Sequence, residues 1–138
     1  APINGATKWL TPTKALVHLS LRNAFADIFW FSMFHELGHI LKGGKKVSYV
    51  DYDNEKNQDE IVADEFAQEV LIPFKDYKVF TETGDFSLKA VQSFADLIGI
   101  DRGIVIGRLQ HDSFLGYRNL THARSRYGWV RQPNQACK

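Results

Sequence analysis

Between Ile28 and Leu41 the chain is almost wholly apolar, yet it carries His35, Glu36 and His39. Burying two imidazoles and a carboxylate is costly unless each finds a polar partner or an ion. Whatever fold the chain adopts must therefore bring such partners to this stretch. The pattern predicts a helix from about Ile28 to Lys42, with Asp27 as its N-cap and Gly43-Gly44 as its stop. A helix apolar nearly all round is expected to be central and buried. It is too short and too polar to cross a bilayer.

Within that helix, His35-Glu36-Leu37-Gly38-His39 matches the pattern H-E-x-x-H. Residues i and i+4 lie one turn apart on one face, with Cβ atoms about 5–6 Å apart. Two imidazoles so placed can converge on one metal ion. Glu36 is turned about 100° from His35 around the axis. It can lean over the open side of a metal and take a proton from a bound water. Gly38 lets another segment come close to the helix.

Two imidazoles leave a metal under-ligated, so the chain should supply a third ligand. Gln58 to Leu71 reads as an amphipathic helix with Val62, Ala63, Phe66, Ala67 and Val70 on one face. Glu60 and Asp64 share another face of it. Glu60 would complete a two-His, one-Glu site with water in the fourth place. Asp64, one turn on, is placed to accept the ring N–H of a ligand histidine, His35 above all. Asp59 is the slip-by-one choice for the third ligand, but it would face away from Asp64. The donor set suits zinc, and manganese or iron suits the same ligands.

The rest of the chain reads as one domain, residues 1–138, of α+β class, mostly helical with a small N-terminal β-sheet. Residues 1–14 are an extended lead-in, Ala15 to Arg22 a strand, Lys45 to Asp51 a second strand and Tyr52 to Asn57 a polar loop. Pro73 to Phe80 is a short helix. Ser87 caps a helix that turns Leu88, Val91, Phe94, Ala95 and Ile98 inward and stops at Gly99. Asp101 caps another, ending near His111. Residues 131–138 read as a disordered tail. With 17 basic and 16 acidic residues the net charge is +1, which argues against a dedicated nucleic-acid or membrane-surface binder. The single cysteine, Cys137, and the absence of a long apolar block in residues 1–14 point to the reducing cytoplasm.

HELGH followed by DEIVADEFAQEVLIP resembles the ImmA/IrrE-type metallopeptidase domain, a gluzincin-like arrangement. The resemblance rests on His35, Glu36 and His39, then on Glu60, Ala63, Asp64, Phe66, Ala67, Leu71, Ile72 and Pro73. Family members often carry Asn at the position of Asp64. The flanks, INGATKWLTPTKALVHLSLR and FADLIGIDRGIVIGRLQHD, resemble the C-terminal half of antitoxin regulators of the HigA kind. The resemblance implies a zinc-dependent endopeptidase in which His35, His39 and Glu60 hold the metal and Glu36 is the base. It implies a regulatory protein as substrate or partner, a repressor or a toxin, with DNA contacted only through a fused helix-turn-helix domain absent from this chain. A non-catalytic metal-binding or protein-interaction module of such a regulator is the second expectation.

Other residues carry weaker signals. His111 closes an apolar helix and is a candidate for oxyanion stabilisation, although a histidine at a helix C-terminus commonly serves the dipole. Tyr49, Tyr52 and Tyr127 are lesser candidates, and His18 and His122 read as structural. Asn119-Leu120-Thr121 matches a glycosylation sequon without an export signal to make use of it. Ala95, Gly99 and Val105 mimic helix-turn-helix spacing. The second helix offers Ile104, Val105 and Ile106 where base edges would need polar side chains, so it reads as core. The basic residues from Arg118 onward read as a solvated face.

Overall fold

The computed structural model describes residues 4–21, 24–43 and 52–130, with side chains from residue 58 in the last span. It bears out the mostly helical α+β reading. The order is β1 (Gly5–Thr11), β2 (Lys14–Leu19), α1 (Ala26–Lys42), α2 (Tyr52–Leu71), α3 (Phe74–Glu82), α4 (Leu88–Ile98) and α5 (Arg102–His111), then a 3-10 turn, Thr121–Ala123. The expected strand 45–51 and the tail 131–138 lie outside the described residues.

Two expectations are corrected in the hairpin and in α2. Residues 5–11, read as a lead-in, pair antiparallel with β2, with Gly5 opposite Leu19, Thr7 opposite Val17 and Trp9 opposite Ala15. Pro12 and Thr13 turn the chain between the strands. The alternation turns Gly5, Thr7 and Trp9 inward on β1, and Ala15, Val17 and Leu19 inward on β2. Residues 52–57, read as a loop, are the first turns of α2. Ala63 and Ala67 are buried further along, whereas Val70, expected inward, is 44% exposed.

The main core lies among α3, α4 and α5. Val91, Val105, Ile106 and Leu109 are fully buried, and Phe80 stacks on Phe94 with centroids 4.3 Å apart. Trp30, Phe31 and Phe34 of α1 pack against it from one side. The caps follow the sequence closely. Ser87 Oγ accepts from Ala90 N at 3.3 Å, Asp101 accepts from Gly103 N at 2.7 Å, and Gly99 ends α4 with φ of 73°.

At the other end of α5, Asp112 Oδ2 accepts from Arg108 Nε at 2.6 Å and from Tyr77 Oη at 2.7 Å. Burial pushes the Asp112 carboxyl up, but hydrogen bonds from Arg108, Tyr77 and His111, together with the Arg108 charge, outweigh it and hold the group below its ordinary value. A carboxyl lowered in the folded state contributes stability above its unfolded pKa, and that contribution is lost as pH falls through the folded value. The side chain keeps 25% of its surface in water, which moderates the effect. Asp112→Asn is expected to cost about 1–2 kcal/mol at pH 7 in urea denaturation. The gap from wild type should narrow as pH falls below the ordinary carboxylate range and through the lowered Asp112 value.

Asp27 does not cap α1. The N-cap is Phe25, which offers no side-chain bond. Asp27 sits in the first turn at 9% exposure and takes a forked pair from Arg124, Nε to Oδ1 at 3.1 Å and Nη2 to Oδ2 at 2.8 Å. Arg124 therefore does not belong to a solvated basic face. Its neighbours complete the attachment: Ala26 N donates to Ser125 O at 2.9 Å, Tyr127 N to Ala24 O at 2.6 Å, and Trp30 Nε1 to Tyr127 Oη at 2.7 Å. Residues 124–127 are thus pinned along the start of the helix that carries the histidines. Tyr127 is engaged in this attachment.

Candidate metal centre

The site begins with the close approach of α1 and α2. A Cβ at Gly38 would lie 3.1 Å from Ala63 Cα and 3.1 Å from Phe66 Cδ1. The two backbones meet there, one residue before His39 and one turn past Glu60. Small residues at this crossing bring the ligand-bearing faces within side-chain reach.

His35 Nε2 lies 2.9 Å from Glu60 Oε2, His39 Nε2 lies 3.1 Å from Glu60 Oε1, and the two Nε2 atoms are 3.1 Å apart. One ligand atom from each residue falls within 4.8 Å of the others. Metal–ligand bonds of about 2.0–2.1 Å in a tetrahedron place ligand atoms about 3.3 Å apart. The spacing fits a single small ion. Asp64 Oδ1 accepts from His35 Nδ1 at 2.6 Å. That bond takes the ring proton to Nδ1 and leaves the Nε2 lone pair directed at the other two donors. With its Nδ1 proton given to Asp64, His35 turns the Nε2 lone pair toward Glu60 Oε2, so two acceptor atoms face each other 2.9 Å apart, an arrangement that a cation between them would satisfy. The donor chemistry therefore suits a cation at the point of convergence.

Glu36 sits beside this group and is 7% exposed. Thr7 Oγ1 of β1 donates to its Oε2 at 2.5 Å. A Cβ on Gly5 would come within 3.0 Å of Glu36 Cγ, so β1 lies directly on the carboxylate side chain. Neither contact was anticipated. The alternation Gly5, Thr7, Trp9 and the Pro12-Thr13 turn were the available signals, masked by the low apolar content of residues 1–14. A hollow of about 290 Å³ opens here, lined by His35, Glu36, Glu60 and Asp64 together with Asn4, Gly5, Phe31 and Ser32.

The histidine side chains are 15% and 23% exposed, whereas those of Glu60 and Asp64 are near half exposed. The site thus has a dry floor on α1 and a wet rim on α2. His111 is not brought into this group. Its side chain is 71% exposed, its Nδ1 is 3.2 Å from Asp112 Oδ1, and it lines a neighbouring cavity.

A peptidase family model described as the IrrE N-terminal-like domain matches residues 23–100, more than half of the chain. The chain belongs to this family. The matched stretch holds both site helices, while the hairpin β1–β2 and α5 lie outside it. No curated protein and no solved structure matches the chain significantly. Membership makes this IrrE-like chain a metallopeptidase-type domain and accords with a metal-dependent site. Among its described residues no helix is long and apolar enough to cross a membrane.

Asp64 reaches any bound metal only through His35, which makes its effect measurable apart from that of the ligands. Asp64→Ala is expected to weaken zinc affinity about 10–100-fold in a competition titration with a chromophoric chelator. An unchanged affinity would mean that the 2.6 Å contact does not orient the His35 ring.

Proposed function

We propose that this IrrE-like domain is a zinc-dependent endopeptidase that cuts a regulatory protein, such as a repressor or the partner of a toxin. The observation that carries the reading is the convergence of His35, His39 and Glu60 within 4.8 Å, with Glu36 lining the same hollow. His35, His39 and Glu60 would be the metal ligands, and manganese or iron could use the same three. A zinc ion bound there supplies Lewis acidity, lowering the pKa of a bound water toward 7 and polarising a peptide carbonyl.

Glu36 acts as the general base. Its carboxylate takes the water proton and later gives it to the leaving amine. Thr7 holds Glu36 Oε2, which fixes the carboxylate plane. Asp64 orients His35, and the backbone of β1 at Gly5 narrows the hollow and keeps bulk water from Glu36. DNA binding, where it occurs, belongs to a fused reading domain.

One feature favours a second reading, a non-catalytic metal-binding or interaction module. Glu36 is already bonded by Thr7 and covered by β1. Incubation of the zinc-loaded domain with candidate repressors and toxins, with cleavage sites mapped by mass spectrometry, separates the two. Discrete cleavage abolished by chelation is expected. Intact partners that form a stable complex with the domain would support the second reading and overturn the first.

A further inference from the structure

A second cavity, of about 260 Å³, adjoins the metal hollow and shares Asn4, Phe31 and Ser32 with it. Its walls are Ile28 and Phe31 of α1, Leu71 and Ile72 at the end of α2, and Ile104 of α5. Asn4, Ser32, Gln68 and the 71% exposed His111 line it as well, and the two charged side chains that border it, Asp27 and Arg108, are both already paired. Asp27 is held by the Arg124 fork, and Arg108 is bonded to Asp112 and lies over the Tyr77 ring at 4.6 Å. A charged guest would find no free counter-charge in either residue and would lose its hydration. An apolar guest would gain the burial. A cavity of about 150 Å³ lined by such residues holds a benzene, so this one has room for a leucyl or phenylalanyl side chain.

We infer that this cavity is a specificity pocket for an uncharged apolar side chain of the peptide substrate, next to the bond held at the metal. The inference rests on the endopeptidase reading and adds the substrate class. Continuity is what joins the two. Phe31 and Ser32 stand on α1 one turn before His35 and Glu36, so a chain lying in the metal hollow presents its neighbouring side chain to the apolar walls. Ile104 and Ile28 set the width of the pocket from opposite helices.

The test uses short peptide hydroxamates, which bind a metal without being turned over, titrated calorimetrically into the zinc-loaded domain. The leucyl compound is expected to bind roughly 50-fold more tightly than the alanyl one, from three more buried carbons. An aspartyl compound should show no gain over alanyl. Ile104→Trp, and separately Ile28→Trp, should fill the pocket and reduce the leucyl advantage to a few-fold, with the zinc content per chain as the check that each variant folds. Equal affinity for leucyl, alanyl and aspartyl compounds overturns the pocket while leaving the metal site standing. So does a leucyl preference that survives in both filled variants. If no hydroxamate binds at all, the metal-site reading itself fails and this inference falls with it.

Discussion

Glu36→Gln is expected to lower peptide hydrolysis by about 10²–10⁴-fold and to leave metal binding intact. The argument turns on what the substitution keeps. Gln has the shape of Glu, so a side chain only 7% exposed is replaced without a cavity, and its amide oxygen still accepts from Thr7 Oγ1. His35, His39 and Glu60 are untouched. What disappears is a carboxylate able to take and return a proton. The cleavage assay on an identified substrate measures the first part, and metal analysis of the same sample measures the second. A variant that cuts as fast as wild type would remove Glu36 from the chemistry. A variant that loses its metal would make Glu36 a ligand or a structural support.

The second large effect is on stability. Arg124→Ala is expected to cost about 3–5 kcal/mol in urea denaturation, since it leaves the Asp27 carboxylate buried without its partner. Arg124 is 11% exposed at its side chain and Asp27 10%, and Asp27 presses on α5 so closely that Gly107 has no room for a Cβ. Water cannot easily replace the guanidinium fork. The double variant Asp27→Asn/Arg124→Met should recover much of the loss, because the cost lies in the stranded charge. The consequence reaches the site: Asp27 opens the helix that carries His35, Glu36 and His39. A loss below about 1 kcal/mol in Arg124→Ala would mean that Asp27 is solvated and that the attachment of residues 124–127 is incidental.

The features legible in the sequence are the ones decided within a few residues. Ser87, Gly99 and Asp101 cap or stop their helices through bonds to atoms two to four positions away. The H-E-x-x-H spacing declares its own face of α1, and Glu60 and Asp64 declare theirs on α2. The features that escaped depend on partners far along the chain. Asp27 looks like an N-cap until Arg124, 97 positions later, claims both of its oxygens. Thr7 looks like part of a loose lead-in until β2 pairs with it and turns its hydroxyl onto Glu36, 29 positions later. The polar run 52–57 looks like a loop because it offers no apolar period to mark a helix, and only the continuation of the backbone into Gln58–Leu71 shows it as one.

Metal content measures the central claim most directly. The wild-type domain, purified and titrated with zinc against a competing chelator, is expected to bind one ion per chain, and Glu60→Ala is expected to bind it at least about 100-fold more weakly, having lost one of three ligands. Absence of specific binding in the wild type, or equal affinity in Glu60→Ala, would contradict a centre built from His35, His39 and Glu60.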